Sequence, residues 1–346
     1  MLGGVLTEYL GWRSVLYVNI PLALLAALGA VFLLTEDPHR ERARMDVTGA
    51  VLATTGLVAL VYGFSSAAVH GWGAPVTAGA LGGGVALMSV FMAVEAHVSR
   101  PLLPLSIMAH RSRGGAYLAF MLVMVAMFGM FLLVSFYLQT VAGFTALQAG
   151  MAFLPFAAGT LIGSILVGHA MTRTRSGLLL AAGLLLAAAG MAWLTRLGVD
   201  SDYLGHVLPA LVLIGLGLGV LSPVAANLAT FQVPERDSGV ASAVFNASEQ
   251  VGASVGLAVL STIAATSTGA YLAAHPGDGG ADLAGLVHGY VTATAWAAAL
   301  LGVVAVVVAI LVNARPGDAT AGLERGAASS SADDPAASPS PLLVHH

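Results

Sequence analysis

The chain has 346 residues, a formal net charge of −4, 58% hydrophobic and only 9% charged residues, and a mean hydropathy of +0.89. A soluble domain carries about 25% charged residues, so this composition excludes a water-soluble globule and makes lipid the solvent. No arginine-rich stripe is present to neutralise phosphates, which argues against a nucleic-acid partner, and the absence of cysteine excludes disulfides, iron–sulfur clusters and thiolate zinc sites.

A spanning helix needs about 20 mostly apolar residues. Residues 1–9 form an apolar piece of about half that length, and with Glu8 as its only charge it lacks the basic start of a signal peptide. The first full-length candidate is 14–34. The polar stretch "TEDPHRERARMD" at 35–46 follows, and then two candidates, 47–68 and 76–97. A connector at 98–114 leads to six more: 115–138, 148–170, 177–195, 206–230, 239–265 and 287–312. The last two are separated by a longer, Gly-rich connector at 266–289, and the Ala/Ser/Pro/Asp-rich tail at 314–346 reads as disordered. The expectation is an all-α integral membrane protein with nine full spans and a half-helix stub. Unbroken apolar runs, rather than alternating ten-residue strands, exclude a β-barrel.

All thirteen basic residues are arginine. With connectors numbered alternately from the start, eleven of them fall on one side. Only Arg13 and Arg196 fall on the other. The positive-inside rule then places the tail in the cytoplasm and the "GWR" turn outside. The arginine-only, Ala- and Gly-rich composition fits a GC-rich bacterial genome, hence a bacterial plasma membrane.

Ionisable residues inside a span are expensive and face a bundle interior or an aqueous cavity. Glu249 is the main candidate. Ser238, Ser242, Asn246 and Glu249 follow at spacings of four, four and three, so they share one helical face, with Gln250 beside them. The face reads either as a site for a proton or cationic substrate, or as a solvated vestibule. Met124 and Phe128 belong to a cluster on span 115–138 with Met121, Met127, Met130 and Phe131; such side chains adapt to varied apolar ligands, and equally suit a lipid-facing surface. Glu95 reads as paired interfacial charge and Asp46 as an N-cap. Gly215, Gly217 and Gly219 follow no strand, so they read as helix packing rather than nucleotide binding. Pro155 and Pro223 are expected to kink their helices. The ten histidines show no metal-ligand spacing, and no catalytic constellation is present, so neither a metal site nor an enzyme is expected.

Three motifs carry a family resemblance. The first is "LGG" followed by "GWRSVLYVNIP", which supplies Gly3, Gly4, Gly11, Trp12, Arg13, Asn19 and Pro21. The second is "YLQTVAGFTALQAGMAFLP", with Tyr137, Leu138, Gln139, Gly143, Ala149, Gly150, Leu154 and Pro155. The third is "SGVASAVFNASEQVGASVGLAVL". Together and in this order they resemble the major facilitator superfamily, most closely its drug:proton antiporter family with fourteen spanning helices. That resemblance implies that residues 1–34 are the end of the fifth and the whole sixth helix, and 35–46 a cytoplasmic loop. It makes 47–97 the two extra helices between the halves, 98–114 a cytoplasmic connector and 115–313 the six-helix C-terminal half. The first four helices would be absent, through a misplaced start, a truncation or a gene remnant, and this chain would supply only part of the transport site. "GHAMTRTRSG" sits where the family repeats its cytoplasmic loop; Gly168 and Arg173 match, and Thr172 replaces the acidic residue.

The implied function is efflux of small amphipathic or cationic compounds by alternating access, energised by a proton gradient without a cofactor. Gln139 joins Glu249, Asn246, Gln250, Ser242, Met124 and Phe128 as a candidate for the pathway. The rival expectations are a dedicated exporter of one natural product and a non-transporting membrane protein. Partners would be the small-molecule substrate, the bilayer and the helices of the N-terminal half. For the topology, alkaline phosphatase fused after Arg315 should be inactive and a fluorescent protein fused there should be bright; an active phosphatase at that position would reverse the assigned orientation.

Overall fold

The computed structural model describes residues 5–7, 9, 11–33, 47–98, 111–230, 233, 238–276 and 280–312. Among these residues the chain is helical without a strand, and eight helices are long and apolar enough to cross a membrane. In hydrocarbon no water can satisfy an open backbone, so a fold built of helices follows directly from the apolar runs.

The ninth expected span, 14–34, is divided. Helix α1 (Trp12–Tyr17) starts after Gly11, whose φ of 84° is a left-handed conformation that suits glycine, and ends at Val18; α2 (Asn19–Leu33) is described over 15 residues. The break has a local cause. Pro21 has no N–H to donate to the Tyr17 carbonyl one turn back, and the Asn19 side-chain amide donates instead to the Val15 carbonyl at 3.2 Å.

Helices α3 (Val47–His70) and α4 (Pro75–Glu95) form a tight hairpin. Its turn places Gly71 at φ 85°, and Pro75 starts α4 where its missing N–H costs nothing. A side chain at Gly63 would strike Leu81, and one at Gly84 would strike Leu60. A buried hydrogen bond of 3.0 Å joins the Ser66 and Thr77 hydroxyls across the seam. Through α3 the hairpin leans on α10 (Ser238–Ala274), and the Trp72 indole N–H donates to the Thr262 hydroxyl at 3.1 Å.

The remaining spans form one bundle around α5 (Arg111–Phe136), the most enclosed of the spans. A five-residue π-helical turn (Tyr137–Val141) continues α5. Thr145 and Gln148 then close a capping box that opens α6 (Ala146–Ala152). Pro155 separates α6 from α7 (Leu154–Ala170), as its lost N–H requires. After α8 (Ser176–Leu194) and a second π-helical turn (Tyr203–Val207) comes α9 (Leu208–Thr230), which continues through Pro223. Helix α9 is clamped on two sides by backbone contact. Gly215 and Gly219 lie against the backbones of Phe156 and Thr160 on α7, while Gly217, on another face, lies against Gly183 and Ala187 on α8. The Ser164 hydroxyl donates to the Gly219 carbonyl at 3.1 Å.

Three tyrosines tie helices to distant backbone. Tyr117 at the start of α5 donates to the Ala229 carbonyl at 3.0 Å, Tyr137 just beyond α5 donates to Gly198 at 2.9 Å, and Tyr203 donates to Ala152 at 2.8 Å. The expected long connector at 266–289 is corrected by the structure: α10 continues to Ala274 and α11 (Ala281–Leu311) starts eight residues before 289. At 1.5 Å per residue, these helices are about 55 and 46 Å long, so each outruns the hydrocarbon core. Their connector ends are zipped by Tyr271, whose ring lies 4.3 Å from His275 and 5.2 Å from His288, and Gly289 lets α11 approach Ala264 and Thr268.

The α7–α9 seam is testable. Gly215→Ala should destabilise the bundle by about 1–3 kcal/mol through overpacking against Phe156, read as a lower midpoint of thermal aggregation in detergent. Gly302→Ala, where an added methyl meets nothing within 4 Å, should stay within about 0.5 kcal/mol of wild type or gain from helix propensity.

Candidate functional site

The site is built on α10. Gly252 and Gly256 let this helix lie directly on the α5 backbone at Met121 and Val125, and Gly129 of α5 receives Leu260. This seam turns Ala241, Ala253 and Ala258 inward. On the flank away from it, Ser242, Asn246 and Gln250 are exposed, each one helical turn from the next. Glu249 is half-buried at the margin between that stripe and the seam, one turn before Gly252. One turn before Glu249, Phe245 stacks on Phe120 of α5 with ring centroids 4.1 Å apart. The Ser238 side chain lies outside the described residues.

Gln250 faces α3. With Leu57, Val58, Val61, Tyr62 and Ser65 it lines a cleft of about 480 Å³. The walls are apolar, with a phenol, a hydroxyl and an amide as hydrogen-bonding groups. Such a lining suits an amphipathic guest. The contribution of α3 escapes the sequence reading, although Leu57, Val61 and Ser65 recur at a spacing of four on one helix.

The other candidates are on α5 and the turn that follows it. Met124 is 6% exposed and packs against Gly252, and Met127 and Met130 are fully enclosed; Phe128 is 43% exposed. Most of the cluster therefore fills the bundle core, an arrangement that neither sequence alternative anticipates. Phe131 sits among Phe153 and Phe156 at 5.1 and 5.0 Å. Gln139 is in the π-helical turn, where its amide donates to the Ser135 hydroxyl at 2.9 Å and carbonyl at 3.2 Å. It is fifteen residues beyond Met124, or about 22 Å along the helix axis, so it does not share a pocket with Glu249.

Of the motif residues, Gly3 and Gly4 lie outside the described residues, as does the Trp12 side chain. Gly11 precedes α1, and Arg13, Asn19 and Pro21 are exposed on α1 and α2. Gly168 is exposed near the end of α7. Arg173 is exposed in the turn that follows, where the Thr172 hydroxyl donates to the His169 carbonyl at 3.1 Å. Glu95 is buried, 3% exposed, at the end of α4. In the turn before α9, Asp202 accepts from the Gly205 N–H at 2.7 Å and from His206 at 3.0 Å; these bonds hold its carboxyl below the usual range. Among the described residues no three His, Asp or Glu side chains group to hold a metal ion.

Residues 1–257 match the Major Facilitator Superfamily. The chain is 44% identical over 317 residues to the puromycin resistance protein pur8 of Streptomyces alboniger, covering 90% of this chain and 63% of that protein. It is 38% identical over 285 residues to the cephamycin export protein CmcT of Amycolatopsis lactamdurans, covering 80% and 59%. With the multidrug resistance protein Stp of Mycobacterium tuberculosis it shares 32% identity over 280 residues, covering 79% and 51%. The chain therefore spans between half and two thirds of the length of these curated relatives. A helical bundle in which, among the described residues, eight helices are long and apolar enough to cross a membrane, together with a match over most of its length, makes this chain a member of the Major Facilitator Superfamily.

Proposed function

We propose that this chain is part of a proton-coupled exporter of small amphipathic or cationic compounds. The observation that carries the reading is its similarity to proteins named for antibiotic resistance and export, up to 44% identity across 90% of the chain. The polar stripe on α10 and the cleft it shares with α3 support it. Both place hydrogen-bonding groups within an otherwise apolar wall, as a binding site for amphipathic molecules needs.

The mechanism we assign is alternating access, in which two helical bundles rock about a site between them. The bundle of α5 to α11 would be one partner, and a second bundle of preceding helices would complete the pathway, as in the fourteen-helix antiporter family. Glu249 would hold a proton or a cationic group at the margin of the site, with Asn246, Ser242 and Gln250 solvating it. The protein would reside in a bacterial plasma membrane with its tail in the cytoplasm. A dedicated exporter of one natural product is the second reading, favoured because two of the relatives carry the name of a single antibiotic. A panel of chemically unrelated substrates separates the two, since a dedicated exporter would move one of them.

Glu249→Gln keeps the shape and removes the charge. With the preceding helices present to complete the transporter, efflux of cationic substrates in proteoliposomes under an imposed pH gradient should fall about ten- to a hundredfold, the loss of one charge-assisted contact of about 1.5–3 kcal/mol. Neutral substrates should be affected less. Equal transport of both classes at matched reconstitution would remove Glu249 from the mechanism.

A further inference from the structure

A second cavity, of about 410 Å³, opens between the end of α5 and the connector ends of α10 and α11. Its walls include Leu132 and Phe136 of α5, Ala265 and Gly269 of α10, and Leu286 and Tyr290 of α11. The volume falls within the usual range for small-molecule sites, about 300–1,000 Å³. Two glycines shape it. Gly289 draws α11 onto Ala264 and Thr268 and so brings the neighbouring Tyr290 to the wall. Gly269 leaves open space on α10, where an added side chain would meet nothing within 4 Å.

Tyr290 is only 9% exposed, and its hydroxyl has no hydrogen-bond partner among the described residues. The ring is enclosed, while the hydroxyl oxygen is not fully covered and is available to a guest in the cavity. Of the two other hydroxyl residues on the walls, Ser261 already donates to the Ala258 carbonyl at 3.2 Å, and Thr268 lies against Gly289. No ionisable carboxylate, imidazole or guanidinium lines the cavity, so a charged guest would lose its hydration without gaining a counter-ion.

We propose that this cavity is a binding site for a neutral amphipathic molecule with an apolar body of about two rings. The body would contact Leu132, Phe136 and Leu286, and one polar atom would accept a hydrogen bond from Tyr290. The site is separate from the Glu249 margin and rests on the export reading for the origin of its ligand. A phospholipid would need its two acyl chains and charged headgroup accommodated by a cavity of about 410 Å³ without a counter-ion, which favours the smaller neutral guest.

The probe is 4-(hydroxymethyl)benzophenone, a neutral two-ring alcohol with a photoreactive ketone. The full chain in lipid nanodiscs is irradiated with it and the adducts are mapped by mass spectrometry. Saturable labelling of wall residues such as Leu132, Ala265 and Leu286 is expected. Gly269→Leu, which fills the open space, should abolish it. Tyr290→Phe should raise the half-saturating concentration about three- to tenfold, the loss of one neutral hydrogen bond. Elution volume and thermal midpoint certify folding, and Ala265→Leu replaces Gly269→Leu if that variant misfolds. Labelling that never saturates, that ignores both variants, or that is blocked by a phospholipid retained through delipidation would overturn the proposal. Efflux measured in parallel on the chain assembled with the preceding helices keeps the two readings apart: saturable, Tyr290-dependent labelling without efflux there would uphold the cavity and refute the exporter, whereas efflux with labelling that ignores both variants would do the reverse.

Discussion

In lipid an apolar side chain gains nothing by turning inward, because the acyl chains outside are as apolar as the neighbouring helix. Helix α9 is held between α7 and α8 by direct contact of backbones, and that contact is possible only where side chains are missing. Gly215 and Gly219 on one face and Gly217 on another meet main-chain atoms of Phe156, Thr160 and Gly183. The α5–α10 seam repeats the device with Gly252 and Gly256. Dispersion between closely approached backbones, summed over many weak contacts, is the attraction that remains once the hydrophobic effect no longer favours the interior. The positions of the candidate site and of both cavities follow from where these seams close and where they stop.

Among the described residues, side-chain hydrogen bonds between distant elements include several near helix ends. Tyr117, Tyr137 and Tyr203 each donate to a backbone carbonyl far along the chain. Each satisfies a carbonyl at a helix terminus or turn, where the regular ladder leaves acceptors open. The α3–α4 hairpin has its own glycine seam and a buried Ser66–Thr77 bond, but it reaches the bundle through α3 and the Trp72–Thr262 bond. It is therefore more strongly joined internally than to α10, and the cleft holding Gln250 lies along that weaker junction.

Helix α10 serves two purposes on different sides. Its glycine side is committed to α5, which encloses Met124 and its neighbours. An adjoining flank, about a quarter-turn away, carries Ser242, Asn246 and Gln250, and Glu249 is at the boundary between them. Glu249 is thus half-shielded by the helix seam yet reachable from the polar flank. Beyond the seam, the same helix extends past the hydrocarbon thickness and joins α11 around the Tyr290 cavity.

Helical class and the approximate places of eight spans were legible in the sequence because bilayer thickness dictates the length of an apolar run, while the ninth expected span, 14–34, and the connector at 266–289 were not. The packing role of Gly215, Gly217 and Gly219 was legible too, since no strand precedes them. The family emerged from three short motifs whose order matters more than any one residue. What the residues alone left open was facing. A soluble helix declares its buried side by alternating polar and apolar residues, but α5 and α8 are apolar all round, so the enclosure of Met124 and the exposure of Phe128 carry no signature in composition. The division of 14–34 depended on the local bond lost at Pro21, and the extension of α10 and α11 through a Gly-rich stretch depended on Tyr271 meeting His288 across the hairpin. Likewise Tyr62 and Tyr290 became site residues only when α3 met α10 and α11 closed over Gly289. Length and composition are set by the solvent, one residue at a time; a cavity exists only between helices, and its lining is decided when they pack.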